Sequence, residues 1–357
     1  MRKLLFAAIA LVVFASCQHP AGLVTVSSYF ATQDSGVQNG NITMVPIKTP
    51  KGVFRVWTKR FGLHPTIKVL LLHGGPGGTH EFFESFENFL PKEGIEFIYY
   101  DQLDSYYSDQ PNDSSLWTTE HFVEEVEQVR QALGLNKDNF YLLGHSWGGI
   151  LAMEYALKYQ DNMKGLIISN MMASIPEYEK YNGVLRSKMR RSLVDSLQAF
   201  EAKGMYKDSV YQSLVIKEYY NEHLCRVKPE WPDPVMRGFK HLSEGIYVAM
   251  QGPSEFKTGG RLIKWDRSAD LPKIKVPTLT IGGAFDTMDP KYMEWMSKQV
   301  QHGSYVFCPE GSHCDMWDDQ AHYFPGLIGF LKEAGCRYCP LRRDAPDLTK
   351  QKMRDPG

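Results

Sequence analysis

The chain has 357 residues, 43% hydrophobic and 23% charged, the composition of a folded globular protein. Its 40 Lys and Arg balance 41 Asp and Glu for a net charge of −1, so bulk charge gives no reason to expect nucleic acid or an anionic surface as partner. After residue 20 no run approaches the ~20 apolar residues that span a bilayer, and the length suits one large domain with room for an insertion.

Residues 1–17 read as a separate object. Arg2 and Lys3 form a positive start, Leu4 to Phe14 an apolar stretch, and Ala15-Ser16-Cys17 a small-residue ending. This is the pattern of an export signal. The cysteine after two small residues resembles a bacterial lipoprotein processing site. That resemblance implies lipid attachment at Cys17 and a membrane anchor, with the protein facing the periplasm or the cell surface. A plain secretory signal cut near the same point is the other reading. Residues 18–41, rich in Ser, Gly, Gln and Asn, then form a tether. Of the five later cysteines, Cys336 and Cys339 are spaced for a local disulfide. No thioredoxin-like strand and helix surround them, and no second ligand pair completes a zinc site, so no metal is expected.

From residue 42 the pattern becomes regular. Ile42 to Ile47 and Val53 to Thr58 flank Thr-Pro-Lys-Gly and predict a hairpin. Val69 to Leu72, Phe97 to Tyr100, Tyr141 to Leu143 and Leu166 to Ile168 follow, then Thr278 to Ile281 and Tyr305 to Phe307. Such short apolar runs without alternation suit strands buried on both faces of a parallel sheet. Thr119 to Leu133 and Gly148 to Tyr159 have helical spacing between them. Strand and helix in alternation give an α/β fold, with core parts at 42–173 and 272–335. Residues 174–271 lack such strands and read as an inserted helical cap; 336–357 form a tail.

Gly144-His145-Ser146-Trp147-Gly148 is a G-x-S-x-G between a strand and a helix. A serine exposed on a sharp turn needs neighbours without Cβ atoms, and this context is that of the α/β-hydrolase fold. His73-Gly74-Gly75-Pro76-Gly77 follows an earlier strand, and the N–H groups of Gly75 and Trp147 are the candidate oxyanion donors. The segment lacks the Gly-Lys-Ser/Thr ending of a phosphate-binding loop. In the order Ser, Asp, His, the acid is Asp286, just past a strand, ahead of its rival Asp289. The base is His313, ahead of His302 and His322, each of which falls in an expected helix or before the strand. Ser146, Asp286 and His313 thus form a nucleophile, orienter and general base, whose chemistry needs no metal or organic cofactor.

These residues resemble the proline iminopeptidase family of serine aminopeptidases. The likeness lies in H-G-G-P-G at 73–77, Y-D-Q at 100–102 and G-H-S-W-G-G at 144–149. It continues in H-L-C-R at 223–226, G-P-S-E-F at 252–256, K-W-D at 264–266, K-V-P-T at 275–278 and G-S-H at 311–313. The resemblance spans about 42–333. It implies release of an N-terminal residue, often proline, from short peptides or amino-acid amides. It also implies a cap carboxylate, Glu255 here, that binds the substrate ammonium. Two departures concern the substrate. Thr287 stands where the family often has a second glutamate, leaving Asp289, Glu222 or another acid to replace it. Tyr106 and Tyr107 stand in a usually Gly-rich turn, where they would narrow the pocket. An amidase or esterase on the same triad, and a non-catalytic binding lipoprotein, are the rival readings.

Overall fold

The structure, a computed structural model, describes residues 37–38, 41–64 and 66–336. The expected signal with Cys17, nearly all of the tether, the Cys336 and Cys339 side chains and the rest of the tail lie outside the described residues. Among those described, nine strands form one sheet. They are β1 (Val37–Gln38), β2 (Ile42–Thr49), β3 (Gly52–Phe61), β4 (Lys68–Leu72), β5 (Glu96–Asp101), β6 (Phe140–His145), β7 (Gly165–Ser169), β8 (Thr278–Gly283) and β9 (Gly303–Cys308). The spatial order is β1-β2-β3-β5-β4-β6-β7-β8-β9. Pairing is antiparallel from β1 to β3 and between β3 and β5, and parallel everywhere beyond. The expected hairpin is β2–β3, and each of the six apolar runs is the centre of a strand.

The central parallel strands are mostly apolar because helices cover both faces. On one face Leu70, Leu72 and Leu142 meet α1 (Thr119–Ala132) and α2 (Trp147–Tyr159). In α1, Phe122, Val126 and Val129 face inward, and the Thr118 hydroxyl caps the helix by accepting from the His121 N–H. On the other face Val69, Leu71 and Leu143 pack on Phe83, Phe86, Tyr323 and Phe324. Each such leucine, fully buried, contributes about 1.5–3 kcal/mol.

Between β7 and β8 the chain is helical. It runs through α3 (Ile175–Lys188), α4 (Arg191–Glu201), α5 (Ser209–Val215), α6 (Asp233–Lys240) and α7 (Glu244–Met250). Leu185, Leu193, Leu197, Tyr211, Tyr219 and Phe256 make a small core of its own. Backbone bonds join this insertion to the sheet's carboxyl edge: Ser243 N to Gly77 O at 2.8 Å, His313 N to His223 O at 3.0 Å, and Cys314 N to Leu224 O at 2.9 Å. Arg237 of α6 adds ion pairs to Glu81 and, at 2.7 Å, to Glu84. The insertion therefore roofs the loops that follow β4, β6, β8 and β9.

Candidate active site

Ser146 sits at the turn from β6 into α2 with φ 55° and ψ −126°, a conformation disfavoured for a residue with a Cβ atom. Its surroundings show why glycines flank it. A Cβ on Gly144 would lie 1.9 Å from the Gly148 carbonyl oxygen, and one on Gly148 would lie 2.0 Å from that of Leu72. The turn is further pinned by the Ser146 N–H, which donates to Ser169 O at 3.1 Å.

Past β8, Asp286 is fully buried, and one of its oxygens lies 2.8 Å from His313 Nδ1. That carboxylate also accepts from the Met288 N–H (3.1 Å), the Thr287 hydroxyl (3.3 Å) and the Asn170 amide (2.9 Å). Burial alone would lower the His313 pKa, but the Asp286 charge and hydrogen bond outweigh it, so His313 is raised above 6.5. Asp289 instead caps the helix α8 (Pro290–Gln299), accepting from the Lys291 N–H at 2.9 Å. His322 lies in the helix α9 (Gln320–Cys336), paired with Asp319 at 2.7 Å, and His302 precedes β9.

The Gly-rich loop after β4 faces the same turn. A Cβ on Gly74 would lie 3.0 Å from the Ser146 Cβ, tighter than side chains ordinarily pack, so a bare backbone suits this approach to the serine. Gly75 has φ +110°, and Trp147 opens α2, where N–H groups lack helical partners. Among the described residues neither N–H has a protein acceptor. The loop is set by a buried network. His73 Nε2 accepts from the Gln102 N–H at 3.1 Å, so its Nδ1 carries the proton and donates to Gly74 O at 2.9 Å. The Gln102 side chain in turn accepts from the Trp147 indole at 2.9 Å. The Y-D-Q segment thus braces the loop, a role its sequence alone did not disclose. His145 was likewise unforeseen: its Nε2 donates to His313 O at 2.7 Å, and burial lowers its pKa to about 3.

Ser146, His145, His313, Gly74 and Gly75 share a cavity of about 50 Å³ with Glu255 and Tyr247 of the insertion. Phe82, Phe239, Leu224 and Leu242 give it an apolar wall. Glu255 is 8% exposed, and its carboxylate accepts from the Tyr247 hydroxyl at 2.6 Å and the Tyr178 hydroxyl at 3.2 Å. Glu222 is not part of this cavity. Its side chain is 51% exposed and is held by Arg226, four residues on and past the short helix that carries Glu222, so the structure places it in a surface ion pair. Tyr106 and Tyr107 do not line the cavity either. Tyr106 stacks on His241, with centroids 4.2 Å apart, and on Tyr107. Thr287 is buried against Asp286 and His313 Nδ1, not turned to the cavity.

A parallel sheet whose glycine-flanked serine follows β6, with a helical insertion over its carboxyl edge, is the α/β-hydrolase fold. A family model described as alpha/beta hydrolase fold matches residues 68–200. The chain is 58% identical over 291 residues to a proline iminopeptidase of Flavobacterium johnsoniae, covering 81% of this chain and 98% of that protein. It is 56% identical over 292 residues to a proline iminopeptidase of Elizabethkingia meningoseptica, with the same coverage of each. The crystal structure of the proline iminopeptidase of Mycobacterium smegmatis superposes with a TM-score of 0.73 at 27% identity, over 82% of this chain and 99% of that one. The chain belongs to the proline iminopeptidase family and is a hydrolase.

Proposed function

We propose that this protein is a serine exopeptidase that releases proline, or another small apolar residue, from the amino terminus of short peptides or amides. The observation that carries this reading is the shared cavity, where a buried carboxylate from the insertion faces the same space as Ser146 and His313. A fixed carboxylate in a roofed pocket selects a cation and positions the bond beside it.

Ser146 Oγ attacks the carbonyl carbon of the first residue as His313 Nε2 takes the hydroxyl proton. Asp286 holds His313 with its proton on Nδ1, leaving Nε2 free to act, and stabilises the imidazolium that forms. The N–H groups of Gly75 and Trp147 receive the oxyanion. His313 returns the proton to the departing amine, then activates the water that cleaves the acyl-enzyme. Glu255 holds the substrate ammonium, so a blocked amine is excluded. The test is a panel of aminoacyl chromogenic amides, free and N-acetylated, with wild type and Ser146→Ala. Turnover confined to free amines and lost in the variant supports the reading. Turnover indifferent to acetylation, or restricted to esters, sinks it.

We also propose export and lipid anchoring at Cys17, supported by the Arg2-Lys3 start, the apolar stretch and Ala15-Ser16-Cys17. Among the described residues no helix is long and apolar enough to cross a membrane. Incorporation of labelled palmitate by wild type and not by Cys17→Ser is the expected result; equal soluble recovery of both without label would refute it.

A further inference from the structure

A second carboxyl group lies behind the candidate triad, outside the cavity and without a role in the mechanism above. Asp315 is two residues after His313 and is fully buried. One of its oxygens accepts from the Asn170 amide nitrogen at 2.9 Å. The same nitrogen donates to Asp286 at 2.9 Å, and the Ser312 carbonyl lies 3.2 Å from it. Asn170 is itself set by its backbone, at φ 53° just after β7, with its N–H donating to Ile281 O at 2.9 Å. Its side-chain oxygen accepts from the Ser169 hydroxyl at 2.7 Å. Two carboxyl groups facing one amide leave only one sensible orientation, with nitrogen toward both.

The other Asp315 oxygen presses on backbone. A Cβ on Gly283 would lie 2.4 Å from it, and one on Gly311 would lie 2.3 Å away. Gly283 closes β8 three residues before Asp286, and Gly311 lies in the loop after β9 two residues before His313. Those loops are themselves joined by the Phe285 N–H, which donates to Gly311 O at 2.9 Å. Asp315 therefore touches both loops that bear the acid and the base, and reaches the acid through Asn170. Asp286, Asp318, the Cys308 thiol and the Tyr305 and Tyr323 hydroxyls are the titratable groups around it. Burial and the Asp286 charge hold Asp315 well above the usual carboxylate range.

We propose that Asp315 is a positioning residue of this active site, which fixes the Asn170 amide and through it the Asp286 carboxylate facing His313. The proposal rests on the triad reading above. A carboxylate misplaced by about 1 Å is enough to lower turnover about 10²-fold. Three variants test it, with kcat, KM, the pH profile and reaction of Ser146 with a fluorophosphonate probe measured for each. Asp315→Ala is expected to lower kcat about 10–100-fold with KM within about twofold, and to move the acid limb of kcat/KM to lower pH, since His313 then loses part of its hold on Asp286. Asp315→Asn keeps an acceptor for Asn170 and is expected to restore kcat to within about threefold of wild type and to restore the limb. If Asp315→Ala is insoluble, Asp315→Val, close in shape and without an acceptor, decides by the same criteria. A folded Ala or Val variant with wild-type kcat and acid limb overturns the proposal. So does an Asn variant as impaired as Ala with its limb unmoved, the mark of a merely structural role. Failure of wild type to react with the probe would instead refute the triad reading.

Discussion

Replacing Glu255 by Gln removes the charge that would bind the substrate ammonium while keeping the side chain's shape. An ammonium about 3 Å from a carboxylate oxygen at an effective dielectric of about 20 gains roughly 5 kcal/mol before desolvation. Breaking one side of a buried pair costs about 3–5 kcal/mol in general. At Glu255 the Tyr247 and Tyr178 hydroxyls already donate to the carboxylate and spread its charge, which favours the lower end. A loss of about 3 kcal/mol is roughly 10²-fold in kcat/KM. The assay compares free and N-acetylated prolyl amides. Wild type is expected to prefer the free amine by that factor, and Glu255→Gln to lose most of the preference while esters lacking the amine are cleaved as before. An unchanged preference in Glu255→Gln would refute the argument, because the discriminating charge would then lie elsewhere.

The remaining predictions follow from the base and its turn. His313 acts only when neutral and its pKa is raised above 6.5 chiefly by Asp286 against burial, so kcat/KM should rise with pH through a midpoint above 6.5. A midpoint at or below that value would contradict the geometry. Asp286→Asn removes the largest influence raising His313 and leaves burial opposed only by Glu255 and Asp318, so the midpoint should fall while kcat drops by roughly 10³–10⁴-fold, as loss of such an orienter does elsewhere; a variant within tenfold of wild type would exclude Asp286 as orienter. Gly148→Ala places a methyl group 2.0 Å from the Leu72 carbonyl, with backbone on both sides of the clash. Its cost should reach or exceed the ~1–3 kcal/mol of ordinary overpacking, read as a fall in Tm, and an unchanged Tm would show that the turn can open.

Much of this architecture is local in sequence. Val69 to Leu72 and Tyr141 to Leu143 announce doubly covered strands because every side chain in them must be apolar, and the Gly144 and Gly148 contacts follow from one motif. Ser146, Asp286 and His313 each follow a strand, so chain order sufficed to nominate them. What escaped were groups defined by distant hydrogen bonds. Gln102 sits in the Y-D-Q motif but its bracing role does not show there, Asn170 and Asp315 belong to no motif, and an Asn at positive φ leaves no periodic trace. Glu222 lies outside the cavity because Arg226, four residues on in the following loop, holds it at the surface, a pairing across a loop path that spacing alone does not reveal. Tyr106 and Tyr107 depended on a loop path that puts Tyr106 against His241, a partner about 135 residues away in the chain.

Glu255 belongs to the insertion and Ser146 to the sheet, and both are seated in buried hydrogen-bonded frames. On the proposed reading, the span between them would act as a ruler whose zero mark is a positive charge. A chain whose charge sits one residue further from the bond reaches the serine out of register, so cleavage proceeds by single steps from the end. The gauge could be recalibrated by altering the roof alone, leaving the chemistry beneath it untouched.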